Sequence, residues 1–181
     1  MVNPKYMPSY ETRQEEDASP FGQLFCYSEY MRVKAIIEIP RGDDRRRHIN
    51  KYNKSEFIDL GPMKDHIPVN NGVAPEHYGF IPNTLNRDDG DEVDVLVFSD
   101  TKLNVGDTID VKPIALLKRE DNDEKVVAVE VDSTATSWDD LEKSRRDLVL
   151  RFFGSHHRIV AVESRDHAEK YILDSMIKEL I

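Results

Sequence analysis

Between Asp88 and Asp94 the chain reads Asp-Asp-Gly-Asp-Glu-Val-Asp, four aspartates and a glutamate in seven residues, before the apolar run Val95-Leu96-Val97. Carboxylates this dense repel one another unless cations neutralise them. Hard divalent ions such as Mg²⁺ favour an all-oxygen ligand set of this kind. Asp89-Gly90 marks a turn, and Val93-Asp94-Val95-Leu96-Val97 reads as a buried strand. Asp94 then stands where loop becomes strand, held more rigidly than its neighbours. An isolated Asp-Gly would be a solvated hairpin turn; an aspartate inside an apolar strand moves the reading to a metal loop. A calcium-loop reading fails on spacing. The EF-hand pattern wants glycine at its sixth place and glutamate at its twelfth, and counting from Asp89 those places hold Asp94 and Asp100.

Three further stretches could take part. Glu38 is a lone acid in Val33-Lys34-Ala35-Ile36-Ile37-Glu38-Ile39-Pro40. Burying an unpaired carboxylate is costly, so Glu38 either faces a cation or wet cavity or points to solvent from a strand edge. Lys118 to Glu124 forms a second acidic loop with Glu120, Asp121, Asp123 and Glu124. Two acidic loops capping neighbouring strands could converge on one site, although one acidic hairpin alone serves solubility. Arg45-Arg46-Arg47 belongs to a charged loop, Arg41 to His48, which is a solvated surface unless it meets phosphate.

Composition narrows the function classes. A chain of 181 residues with 39% hydrophobic and 33% charged residues is expected to form one globular domain with a sizeable core. A net charge of −10 argues against general nucleic-acid binding, which needs a basic face. It suits a protein that binds metals and recruits an anionic substrate through them. Cys26 is the only cysteine, so an intramolecular disulfide is impossible and a reducing compartment follows. No apolar run approaches the ~20 residues that span a bilayer, and Met1 to Pro20 lacks a signal-peptide layout. The expectation is a cytoplasmic protein with no membrane partner.

The elements that must position these residues follow from hydrophobic spacing. Residues 1–30, with prolines at 4, 8 and 20, read as an irregular extension, and residues 31–181 as one domain. Strands are expected at 33–40, 55–60, 93–97, 108–117 and 125–131, with a short one at 158–163. Gly61 to Pro75 is loop-rich, and His77 to Asn83 reads as an aromatic turn leading into the acidic cluster. Ser137-Trp138-Asp139-Asp140 resembles a capping box for a helix carrying Leu141, Leu148, Val149 and Phe152 on one face and ending at Gly154. Asp166 to Glu169 opens a last helix with Ala168, Ile172 and Met176 at four-residue spacing. Many short strands followed by helices predict a mainly β, α+β fold: a compact barrel with helices outside.

The motifs together resemble the soluble family I inorganic pyrophosphatases. The resemblance rests on Ile37-Glu38-Ile39-Pro40-Arg41-Gly42, Asn50-Lys51-Tyr52, Tyr78-Gly79-Phe80-Ile81-Pro82-Asn83-Thr84-Leu85 and Asp89-Gly90-Asp91-Glu92-Val93-Asp94-Val95. Lys118 to Lys125 and Phe152-Phe153 continue in the family's order, so about residues 33 to 175 are covered. The resemblance implies an OB-like, five-stranded twisted β-barrel with flanking helices, a homo-oligomer, Mg²⁺ as cofactor, and hydrolysis of diphosphate to two phosphates. It further implies that Asp89, Asp94 and Asp121 or Asp123 coordinate metals, with Glu38 holding another through water. Asp91 would orient or deprotonate the attacking water, Tyr78 would hydrogen-bond near it, and Lys51 and Lys125 would bind phosphate oxygens. Elementary chemistry agrees: diphosphate hydrolysis needs positioning and countercharge more than covalent chemistry.

Several positions depart from the family. A carboxylate is lost at Asn53, an arginine is missing near Lys64-Asp65-His66, Ala74 replaces a tyrosine, and His156-His157 replaces a tyrosine–lysine pair. Asp43 to His48 is an insertion, and the Asp121–Lys125 loop is shortened. The metal half of the site is nearly intact while the phosphate-gripping half is rewritten. His156, His157 and Arg158, with His66 and Arg45 to Arg47, could form a different cationic surface against substrate; each histidine taken alone reads rather as structural or surface. Two alternatives to diphosphate hydrolysis therefore stay open: hydrolysis of another phosphoanhydride or phosphoester on the same metal site, or metal and diphosphate binding without turnover.

Overall fold

The computed structural model describes residues 30–50, 52–53 and 55–177. The irregular extension expected for residues 1–30 lies almost wholly outside them, and so does Lys51. The described elements are β1 (Val33–Ile39), β2 (Arg45–Ile49), β3 (Phe57–Pro62), β4 (His77–Ile81), β5 (Val93–Phe98), β6 (Thr108–Arg119), β7 (Lys125–Glu130), α1 (Lys143–Phe153), β8 (Ile159–Ser164) and α2 (Arg165–Ser175). Strands β1, β4, β5, β7 and β6 pair in that order, and β6 pairs back onto β1, closing a five-stranded ring. Only β5 and β7 run parallel; the other pairings are antiparallel. Strand β8 adds to β6 outside the ring, and β2–β3 form a separate ribbon. The mainly β barrel with outer helices expected from the sequence is the fold observed.

Side-chain alternation divides the core. On β5, Val93, Val95 and Val97 pack with Ala35, Ile37 and Val126 in a cluster closed by Ala168 and Ile172 of α2. Leu96 and Phe98 point the other way, into a cluster closed by Val149 of α1. Each fully buried side chain of this kind contributes about 1.5–3 kcal/mol, enough to hold β5 rigidly from both sides. Asp94 shares the parity of Leu96 and Phe98, at the end of β5 where the apolar cover gives out. Strand β4 lies against it, with Phe80 opposite Asp94 and Tyr78 opposite Leu96. On its other edge Gly79 lets β4 approach β1 closely: an added Cβ would overlap the backbone carbonyl of Ile36.

The structure corrects several local expectations. Residues 45–49 are a strand, not loop, because Ile49 is buried and the ladder to β3 alternates behind four basic side chains. His77 to Ile81 is a ring strand, since its aromatic residues alternate across a sheet buried on both faces. The Ser137 capping box exists, yet it closes a 3-10 turn at Trp138–Asp140; α1 begins at Lys143, after Leu141 leaves the helical path. Ser164, not Asp166, stands at the N-cap of α2, and Met176 lies just past its end and is exposed.

A buried ion pair ties α1 to the barrel. Glu76, fully buried, accepts from Arg145 Nε at 2.6 Å and Nη2 at 2.5 Å. Burial pushes the Glu76 carboxyl up, opposed by the guanidinium. Removing one partner of such a pair leaves an uncompensated buried charge. Arg145→Ala should cost about 3–5 kcal/mol, lowering the thermal midpoint by about 6–20 °C for a chain of this size. A loss below about 1 kcal/mol in denaturant melts would show that the pair contributes no net stability.

Candidate active site

The acidic loop is a rigid turn rather than a floppy one. Thr84 Oγ1 donates to the Ile81 carbonyl at 2.6 Å and accepts from Val93 N–H at 2.9 Å, stapling both ends of the loop to the barrel. Asn86, buried, donates through Nδ2 to Asp89 at 3.0 Å, and its backbone N–H reaches the Asp91 carbonyl at 2.7 Å. Asp89 also accepts from the Asp91 N–H at 2.9 Å. Gly90 takes φ +79°, a left-handed conformation that glycine adopts without strain. The turn thus fixes the order in which Asp89, Asp91 and Asp94 are presented.

Glu38 sits at a register shift in β1, between Ile37 and Ile39. Such a bulge re-aims a side chain. Its carboxylate is only 1% exposed and accepts from Ile49 N–H at 2.6 Å. It therefore faces inward, not to solvent, and its partner is the His48 imidazole, whose Nδ1 is 3.2 Å away. The other ring nitrogen of His48 lies 3.7 Å from Asp91 Oδ2. The Glu38 carboxylate, helped by Asp91 and Asp94, holds the His48 imidazole above its usual range, against burial that lowers it.

A second chain of charges crosses from β5 to the later acidic loop. Lys125, almost wholly buried, donates to Asp94 and, at 2.6 Å, to Asp123. Arg119 then bridges Asp123 at 2.9 Å and Asp121 at 3.1 Å, and His157 stands 3.6 Å beyond, against Asp121. The hydroxyl of Tyr78 is within hydrogen-bonding reach of Asp94 and is pushed well up by burial. Burial likewise raises Asp94, to about 6, with Asp123 adding to the shift and Lys125 opposing it. Tyr171 on α2 is raised by burial and then by Glu124, Asp123, Asp89 and Asp94, so these carboxylates face one region.

Most residues singled out from the sequence therefore converge, in two linked sets: Glu38 with Asp91, and Asp94 with Lys125, Asp123, Asp121 and Tyr78. Among the described residues no three acids or histidines stand close enough to form a ready-made metal cage, because lysine, arginine and histidine lie between the carboxylates. The donor set still fits a hard divalent cation in kind. It is all oxygen, and Asp94 is held partly protonated near neutrality by burial beside another carboxylate. His156 and His157 are exposed and line a cavity of about 410 Å³ shared with Tyr78, Asp123 and Lys125. Arg46 and His66 line it too. Lys51 lies outside the described residues.

Sequence reading missed three participants. His48 was hidden by its charged neighbours, although the alternation leading to buried Ile49 was available. Arg119 ends an apolar strand with acids two and four residues on, a pattern that could have marked it as their bridge. Tyr171 carries no local signal and is brought in only by the packing of α2 on β6.

Comparison with known proteins places these residues in context. The Pyrophosphatase family, described as inorganic pyrophosphatase, matches residues 35–178. The chain is 34% identical over 131 residues to the inorganic pyrophosphatase of Sulfolobus acidocaldarius, covering 67% of this chain and 71% of that protein. It is 33% identical over 160 residues to that of Helicobacter pylori, covering 79% and 88%. Among solved structures, inorganic pyrophosphatase from Ehrlichia chaffeensis superposes with TM-score 0.71 at 28% identity, over 80% of this chain and 93% of the other.

The state of Asp94 has a measurable sign. Its pKa in the fold, about 6, lies above the ordinary carboxylate value of 3.8. The protonated form is therefore favoured, and its contribution to metal-free stability falls as pH rises through about 6. A divalent cation needs the ionised form. The rise in thermal midpoint on adding Mg²⁺ should accordingly be small at pH 5, grow through pH 6 and level off by pH 8. An equal rise at pH 5 and pH 8 would remove Asp94 from cation binding.

Proposed function

The chain belongs to the inorganic pyrophosphatase family, and from that premise we infer that its site hydrolyses inorganic diphosphate to two phosphates. The family works with a divalent metal cofactor, which we take to be Mg²⁺ because every candidate ligand is a hard carboxylate oxygen. The observation that carries the reading is the convergence of Glu38, Asp94 and Asp123 on Tyr78, with Lys125 bonded to Asp94 and Asp123 and His48 linking Glu38 to Asp91. Asp89, Asp94, Asp121 and Asp123 are proposed to hold metal, and Glu38 to hold a further ion through water. Bound there, Mg²⁺ supplies countercharge and lowers the pKa of a water molecule.

The chain's own groups do the rest. Asp91, 3.7 Å from His48, accepts a proton from the attacking water, as a carboxylate beside the nucleophile can. Tyr78, kept protonated by burial, donates to Asp94 and orients it toward the reacting centre. Lys125 releases part of its hold on Asp94 and Asp123 and turns its donors to phosphate oxygens, a compact charge suited to that task. Lys51 is proposed to act with it, and His156 and His157 to meet the distal phosphate from the cavity rim. On this reading residues 31–181 form the catalytic unit of a homo-oligomer. No helix among the described residues is long and apolar enough to cross a membrane, and a cytoplasmic setting with no nucleic-acid partner fits the acidic charge.

Phosphate release from diphosphate with Mg²⁺ checks this directly. Two phosphates per diphosphate are expected, and Asp91→Asn should lower kcat by about 10²–10⁴-fold. Release by micromolar wild-type protein no greater than by the Asp91→Asn variant would leave only a binding role.

A further inference from the structure

The cavity beside the carboxylates is built for more than a polyanion. Its polar lining includes Tyr78, Arg119, Asp123, Lys125 and His157; its apolar lining is Ile39, Met63, Ile67, Ala74, Phe152 and Phe153. Those six side chains offer diphosphate oxygens no hydrogen-bond donor, and pressing charged oxygens against them carries a desolvation cost. Its volume of about 410 Å³ falls within the ~300–1,000 Å³ of pockets that enclose organic ligands. Nor is it a sealed packing fault, because exposed Arg46, His66 and His156 line it as well.

The floor is aromatic and firmly held. Phe153 stacks on Tyr78 at 5.7 Å between centroids, and Phe152 meets Phe153 edge-on at 5.1 Å. Phe152 is fully buried and packs with Ile39, Met63 and Ala74, which fixes its position. Ala74, buried in the same cluster as Phe152, contributes only a methyl group to the lining. An aromatic ring entering there would join the Tyr78–Phe153 stack at its margin, in a space that Met63 and Ile67 also line. Lys125 lines the same cavity and supplies a cation for a phosphate attached to that ring.

We propose that this cavity is a subsite for an organic group, and that the enzyme also hydrolyses monoesters of diphosphate bearing an aromatic substituent. The proposal rests on the diphosphatase reading, since it uses the same carboxylates. In the reaction the water oxygen bonds to the terminal phosphorus, whose bond to the bridging oxygen breaks. That oxygen keeps the electron pair and leaves as part of the aryl phosphate; the water proton goes to Asp91 and then to solvent. The products are one aryl phosphate and one inorganic phosphate, and no redox partner is needed.

Three substrates separate the possibilities: diphosphate, methyl diphosphate and phenyl diphosphate, each with Mg²⁺. Phenyl diphosphate should exceed methyl diphosphate in kcat/KM by at least tenfold. Ala74→Phe, which fills the cavity, should cut that ratio at least fivefold; Met63→Trp serves the same purpose if the first variant does not fold. Equal kcat/KM for the two esters, or a ratio unmoved by both filling variants, would overturn the subsite. Cleavage of diphosphate alone would also overturn it and leave the family activity standing. Cleavage of none of the three would overturn both.

Discussion

Lys125 cannot be buried at the end of β7 without anionic partners, and Asp94 cannot be buried at the end of β5 without a cation. The two strands run parallel and adjacent in the ring, so each group answers the other's need. Asp123, drawn to the same ammonium, brings the later acidic loop onto β5, and Arg119 carries the connection to Asp121. Remove that ammonium and the loop has no reason to fold toward the acidic turn. The site is thus assembled by charge neutralisation inside a barrel whose apolar packing holds the strand ends in place.

The same logic explains Glu38, Ile49 and His48. A bulge in β1 turns a carboxylate inward, and the β2–β3 ribbon supplies a backbone N–H and an imidazole to receive it. Strand β2 carries Arg45 to His48, so this charged stretch brings an imidazole beside Asp91 rather than forming a mere surface loop. Its arginines are divided between tasks: Arg45 pairs with Asp59, Arg47 with Asp43, and Arg46 lines the cavity. With its own cations interleaved among the carboxylates, the protein holds the charge arrangement that a divalent ion and a phosphate would exchange into.

Much of this was legible in the sequence because two periodicities carried it. The run from Val93 to Val97 announced a buried strand with an acid in it, and the Asp-Gly turn announced the loop before it. The barrel followed from many short strands preceding the helices. What was hidden had physical causes. Four consecutive basic residues masked the alternation of β2, since charge on the exposed face and at the site reads as uniform polarity. His77 to Ile81 looked like a turn because a strand buried on both faces loses its polar alternation. Arg119 and Tyr171 join the site through long-range packing, which no local spacing encodes. Substitutions such as Ala74 were visible as departures, but only the cavity shows that they open onto an aromatic floor.

On the proposed reading, Asp89, Asp94, Asp121 and Asp123 would form one cation site once Lys125 and Arg119 yield to metal. A crystal structure grown with Mn²⁺ and phosphate tests it through the anomalous signal of manganese. Manganese peaks ligated by Asp94 and by carboxylates of both acidic loops are expected, with the Lys125 ammonium moved from Asp94 to a phosphate oxygen. Manganese bound elsewhere, with the Asp94–Lys125 pair intact beside bound phosphate, would contradict it.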